Sequence, residues 1–243
     1  MTVATIPYLP TGTVYGTLLN FEREWRLWEP RMADKPYAGA PKAPVLYVKT
    51  ANCFSPAAAP IGLPVGVDEV EIGASLALEV ALGAAFEGSF GPEGQQNRPR
   101  AAITFDDSLA LRALLLADLS LPHASYYRPP VKFRNLDGFL GLPEAPTPLA
   151  VLGGLDGVAG LVLELRINGE LRQTVELSTL RRTAARLLAE VNEFQTLQPG
   201  DVLMLGTDCL ADGTRPRARV GDRIEIRAPG LAPVRHEIVR EAL

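Results

Sequence analysis

Apolar and polar residues alternate over 67–80, Val-Asp-Glu-Val-Glu-Ile-Gly-Ala-Ser-Leu-Ala-Leu-Glu-Val. A period of two puts Val70, Ile72, Ala74, Leu76, Leu78 and Val80 on one side of a strand. Residues 12–19 alternate enough to predict a second strand, ending at Asn20-Phe21, and 44–49 predicts a short third. The apolar run 114–117 reads as the end of a buried strand that closes on Asp118, led in by a short helix through Ala113 with Asp106 or Asp107 as its cap. Asn168-Gly169 separates two apolar-patterned runs, 161–167 and 171–177. That pair predicts a hairpin, because a tight type I′ turn needs positive φ at both central residues. Pro199-Gly200-Asp201 is a turn into a strand over 202–206, and 220–227 and 234–239 supply the last strands.

Two stretches carry a helical period instead. Residues 22–29 place Trp25 and Trp28 on one face, bounded by Pro30. Ser178 is positioned to cap a helix running to about Phe194, whose stripe is Leu180, Ala184, Leu187, Leu188 and Val191. Arg181, Arg182 and Arg186 lie off that stripe and are expected in solvent. Segments 35–44, 52–64, 86–100 and 142–159 are rich in Pro, Gly or small residues and read as loops. Many short strands with one long helix give a mostly β chain with few helices, of α+β class.

Composition narrows the function classes. The 243 residues fit one large domain or two small ones, and 47% apolar content is enough for a sizeable core. The net charge of −4, with arginines scattered, argues against nucleic acid as a partner. No apolar run reaches the roughly 18 residues of a membrane span, and the first residues lack the pattern of a signal peptide. Cys53 and Cys209 are the only cysteines and form neither a zinc pattern nor a disulfide framework, so a reducing cytoplasm is expected. With two histidines, a histidine-rich metal site is not expected.

The chemistry concentrates at Asp118-Leu-Ser, followed by Tyr126-Tyr-Arg-Pro, Lys132 and Asp137-Gly-Phe139. A carboxylate at the mouth of a buried strand suits a hard cation, which prefers oxygen; an aspartate in a polar loop is the plain alternative. Further motifs are Tyr15-Gly-Thr-Leu-Leu-Asn-Phe21, 41–49, 168–173 and Leu197-Gln-Pro-Gly-Asp-Val-Leu-Met-Leu-Gly-Thr207. In this order they resemble the fumarylacetoacetate hydrolase family. Within it the chain is similar to the N-terminal half of the two-half isomerase/decarboxylases of homoprotocatechuate (4-hydroxyphenylacetate) degradation. The resemblance implies a single domain over 1–243, a mixed β-roll or barrel, with 1–40 as an N-terminal lid or arm.

The resemblance also implies a site. A family member holds Mg²⁺ or Mn²⁺ through Glu-x-Glu on one strand and a later aspartate; the ion chelates a 2-oxo acid and stabilises the enolate as a Lewis acid. Asp118 matches the aspartate. One register places Gly73 and Ser75 where the glutamates belong. A rival register uses Glu69 and Glu71, at the cost of moving the ligands four residues, about 13 Å along a strand. The resemblance assigns Lys132 to charge near the reacting group, with Arg128 in support. It makes Glu24 the occupant of the base histidine's place on the lid, and Asn20 and Thr207 substrate contacts. The implied substrate is an oxo-carboxylate, 5-oxopent-3-ene-1,2,5-tricarboxylate, or its decarboxylated 2-oxo-diene product. The alternatives are a metal-depleted partner of a paralogous metal-binding subunit, and hydrolysis of an acylpyruvate or β-diketone. A homodimer or a pair with the paralogue is expected.

Overall fold

The computed structural model describes residues 6–35, 39–81, 111–123 and 131–241. Its strands are β1 (Val14–Leu18), β2 (Val45–Lys49), β3 (Phe54–Ser55), β4 (Ile61–Leu63), β5 (Glu69–Val80), β6 (Leu111–Ser120) and β7 (Leu140–Gly141). They continue with β8 (Thr147–Pro148), β9 (Val162–Ile167), β10 (Glu170–Glu176), β11 (Val202–Met204), β12 (Arg217–Arg219), β13 (Arg223–Arg227) and β14 (Val234–Arg240). The helices are α1 (Glu22–Trp28), α2 (Val131–Arg134), α3 (Gly154–Gly157) and α4 (Ala184–Asn192).

One mixed sheet runs β2-β1-β11-β5-β6-β7-β3, with β12 beside β5 and β8 beside β6. The second runs β10-β9-β13-β14-β4. The long antiparallel pair β5/β6 joins Val80 to Leu111 at one end and Glu71 to Ser120 at the other. Both of its faces are covered. Val70, Ile72, Leu76 and Leu78 of β5 pack with Leu115 and Leu119 of β6 against Leu163, Leu165 and Ile226 of the second sheet and against α4. Ala77, Leu114 and Leu116 face the other way, against Val14, Val202 and Met204. That is why 111–119 reads as an almost continuous apolar run rather than a clean alternation.

The large sheet curls strongly. Tyr47 of β2 touches Asp118 of β6, although β1, β11 and β5 lie between those strands in the sheet. Gly16 makes this reach possible. It pairs with Tyr47 across β1/β2, and a Cβ on it would fall 2.0 Å from the Tyr47 ring. The ring therefore lies over bare backbone.

The hairpin forms as its turn requires, with Asn168 at φ 54° and Gly169 at φ 82°. Other expectations shift. Residues 111–113 belong to β6 and not to a helix, because each is paired to a neighbouring strand; Asp106, Asp107 and 86–100 lie outside the described residues. The long helix starts at Ala184 and is capped by Thr183, whose hydroxyl accepts the Arg186 N–H. Ser178 instead sits in a 3-10 turn, and Leu180 is extended and bridges Phe21. Arg181 and Arg186 are exposed as expected, Arg181 stacking on Trp25 and pairing with Glu22 and Arg186 sharing Glu190 with the partly buried Arg182. Segment 142–159 contains β8 and short helical turns that bury Leu149 and Val158.

Candidate functional site

Asp118 is the third-last residue of β6, on the face that carries Leu114 and Leu116. Its side chain is 1% exposed. A buried carboxylate must be matched by charge or strong donors, and three side chains supply them. Tyr47 donates its hydroxyl to Oδ2 at 2.5 Å. Arg134 donates Nη1 to the same oxygen at 2.8 Å. Lys49 places Nζ 2.8 Å from Oδ1. Tyr47 and Lys49 are two apart on β2, so strand parity turns both inward together.

Lys49 is fully buried, and its nitrogen also donates to the carbonyls of Leu119, Phe139 and Arg134. Three carbonyls and a carboxylate accept only; a neutral amine would turn its lone pair toward one of them, so the group is an ammonium. Its three protons point at the carbonyls, and the contact with Oδ1 is mainly charge against charge. This cage ties β6, α2 and the turn before β7 to one point.

Burial pushes the Asp118 carboxyl upward, but the Lys49 and Arg134 charges beside it and the Tyr47 hydroxyl outweigh it and hold the group below the usual range. Burial lowers Lys49, opposed by Asp118. Burial and the neighbouring carboxylate raise the Tyr47 phenol well above its ordinary value. Arg134 also lies over the Tyr47 ring, 4.7 Å from its centroid. Its Nε and Nη2 are buried without an acceptor among the described residues.

A second cluster adjoins this one. Arg215 donates to Glu24 at 2.7 Å and to the Thr207 hydroxyl at 3.1 Å. The other Glu24 oxygen accepts the N–H of Leu19 at 2.8 Å, which holds Leu19 in its left-handed conformation, φ 57°. The carboxylate expected in the base position is thus tied on both oxygens. Asn20 gives its amide to the carbonyls of Leu205 and Arg182 and accepts the Arg182 N–H. It clamps backbone to backbone.

The register of β5 on β6 sets what faces Asp118. Gly73 is directly opposite and Ser75 is opposite Leu116. A Cβ on Gly73 would lie 2.5 Å from the Thr207 methyl, so Thr207 fills that space. The Ser75 hydroxyl donates to the Leu76 carbonyl. Glu71 is opposite Ser120, one step outward on the same face. It pairs with Arg217, which also holds Glu69. Among the described residues no three His, Cys, Asp or Glu side chains are placed to hold a metal ion. The rival register's convergence of Glu69, Glu71 and Asp118 is therefore not what the fold builds.

Lys132 is exposed on α2 and makes no ion pair among the described residues; Arg134, two residues on, is the side chain that reaches Asp118. Arg128 lies outside the described residues. Sequence reasoning missed Tyr47, Lys49, Arg134 and Arg215. The one usable signal was Tyr47-x-Lys49, a polar pair on one face of an otherwise apolar strand.

The donor set does not fit Mg²⁺ or Mn²⁺. Such an ion needs several oxygens, whereas the single carboxylate the described residues bring here is already engaged by two cations, and the two positions beside it carry a glycine and a serine.

The family model "fumarylacetoacetate (FAA) hydrolase C-terminal" matches residues 112–239. The 4-hydroxyphenylacetate degradation bifunctional isomerase/decarboxylase of Salmonella dublin is 33% identical over 95% of this chain, and that of Escherichia coli 32% over 95%. The chain spans about half the length of these curated relatives, 48% in each. Among solved structures, 5-carboxymethyl-2-hydroxymuconate delta-isomerase from Mycobacterium smegmatis superposes with a TM-score of 0.65 at 20% identity, covering 97% of this chain and 79% of the other. Fumarylpyruvate hydrolase from Pseudomonas aeruginosa, solved with Mn²⁺ and pyruvate, gives 0.66 at 17% identity, covering 98% and 94%.

Proposed function

Since this chain belongs to the fumarylacetoacetate hydrolase family, we propose that it serves 4-hydroxyphenylacetate catabolism as the half of an isomerase/decarboxylase that lacks the metal centre. It works beside a paralogous, metal-competent half. The observation that carries this reading is the Asp118 carboxylate, held by Lys49 and Arg134 where a metal-binding relative would need an open oxygen. The half-length match to the curated relatives agrees with two halves on separate chains or fused in one. The substrate class is an oxo-carboxylate, with 5-oxopent-3-ene-1,2,5-tricarboxylate as the specific candidate. We assign Arg134, Arg215 and Thr207 to contact with it; Lys132 is exposed and serves at most as an outer contact, and Arg128 lies outside the described residues. Pairing through a paralogue replaces the simple homodimer as the expected assembly. The two buried, unpaired thiols suit a reducing cytoplasm. No helix among the described residues is long and apolar enough to cross a membrane.

Hydrolysis of an acylpyruvate is disfavoured by Glu24, whose two oxygens are occupied by Arg215 and the Leu19 N–H. It is poorly placed to take a proton from water.

The test is turnover of 5-oxopent-3-ene-1,2,5-tricarboxylate, followed in the ultraviolet with Mg²⁺ present. The chain purified alone should be at least about a hundredfold slower than the chain co-purified with a homologue carrying an intact Glu-x-Glu and aspartate, because that partner brings the Lewis acid. Full Mg²⁺-dependent turnover by the chain alone would sink the reading.

A further inference from the structure

The Asp118 centre is not neutral. One carboxylate faces an ammonium and a guanidinium, each 2.8 Å away. Beside it Glu24 pairs with Arg215, and Glu69 and Glu71 pair with Arg217 and Arg219. Among the described residues the Asp118 centre carries one buried positive charge in excess, and it has a direction. Arg134 commits Nη1 to Asp118 and its face to Tyr47. Its Nε and Nη2, the two parallel donors along one edge of the guanidinium, are buried with no acceptor among the described residues. Arg134 itself is 1% exposed. Buried donors on a charged group are seldom left unmatched, and that edge has the spacing of a carboxylate's two oxygens.

We propose that this centre binds a ligand carboxylate directly on the Nε–Nη2 edge of Arg134, with no metal ion between them. Asp118 and Tyr47 hold the guanidinium in place, and the ligand's charge neutralises the centre. A divalent cation would do the reverse and add charge of the sign already in excess. The inference rests on reading this site as an oxo-carboxylate site, and it replaces chelation by a bidentate ion pair.

The experiment uses the whole chain in EDTA, titrated calorimetrically with oxalate and malonate, with phosphate as an anion control at matched ionic strength. Saturable oxalate binding is expected in EDTA, and Mn²⁺ should change its affinity by less than about twofold. Arg134→Lys keeps the charge beside Asp118 but loses the fork, and should weaken binding about tenfold or more. Binding should also perturb the tyrosine ultraviolet spectrum through Tyr47, a readout that needs no folded Arg134 variant and disappears in Tyr47→Phe. No saturable binding in EDTA would overturn the proposal. So would a strict need for Mn²⁺, unchanged affinity in Arg134→Lys, equal binding of phosphate, or binding without a Tyr47 signal. If oxalate binds as expected but the paired chains do not turn over the tricarboxylate, the pathway reading fails and this one stands. Turnover by the pair without oxalate binding removes the carboxylate site and leaves the pathway reading intact.

Discussion

Asp118, Lys49 and Arg134 are each costly to bury and affordable only together. Removing the carboxylate strands two cations in the core, so Asp118→Asn should lower stability by about 3–5 kcal/mol, the usual cost of breaking a buried pair. Lys49→Met should be comparably harmful, because it also leaves the carbonyls of Leu119, Phe139 and Arg134 without their shared donor. The double variant should cost clearly less than the sum, since the second change removes a charge the first left unpaired. Urea unfolding of the four proteins checks this, and strict additivity would mean the two residues do not act as a unit. At this scale the sequence was half legible. Asp118 was visible from its place at a strand end. Its partners were not, because Lys49 lies far earlier in the chain and nothing in local pattern links the two. The resemblance points to Lys132, with Arg128 in support, and leaves Arg134 unmentioned, yet the fold exposes Lys132 and buries Arg134 on the same short turn.

Between strands, close approach decides which side chains fit. Gly73 faces Asp118, and the Thr207 methyl occupies the place of its missing Cβ. Gly73→Ala should therefore overpack this contact and cost about 1–3 kcal/mol. Thr207→Ser removes the methyl but keeps the hydroxyl that accepts from Arg215. Combined with Gly73→Ala it should recover more than half of the loss, as a thermal-unfolding cycle would show. No recovery would mean that the strand backbone, and not the methyl, sets the limit. The strand and its face were readable from the period of 67–80. The contact was not, since Thr207 follows a different strand. The misplaced start of α4 has the same origin: the apolar stripe extends back to Leu180, but pairing with Phe21 pulls that residue out of the helix.

Across the whole molecule, the curl of the large sheet brings β2 over β6 and closes the interior around the site. Both thiols lie within it, Cys53 at 0% and Cys209 at 2% exposure. Burial, with Asp208 nearby, pushes the Cys209 thiol up to about 11. A group whose pKa lies that far above pH 8 is thiolate in only about one molecule in a thousand. Neither cysteine should react with an aromatic disulfide reagent at pH 8 in the native protein, and both should react fully in denaturant. Rapid native modification of either would show that the interior opens locally rather than as a unit.

Local periodicity settled the β-rich class, the Asn168-Gly169 hairpin, the strand through 69–80 and the apolar run that carries Asp118, because each depends on near neighbours in the chain; that strand continues two residues past the aspartate, to Ser120. The balance of charge at that aspartate belongs to the tertiary structure. Two residues from β2 and one from α2 meet it only because the sheet bends back on itself over a glycine. Coulomb interactions act through space, so no spacing along the chain could reveal that the centre had already acquired its cations.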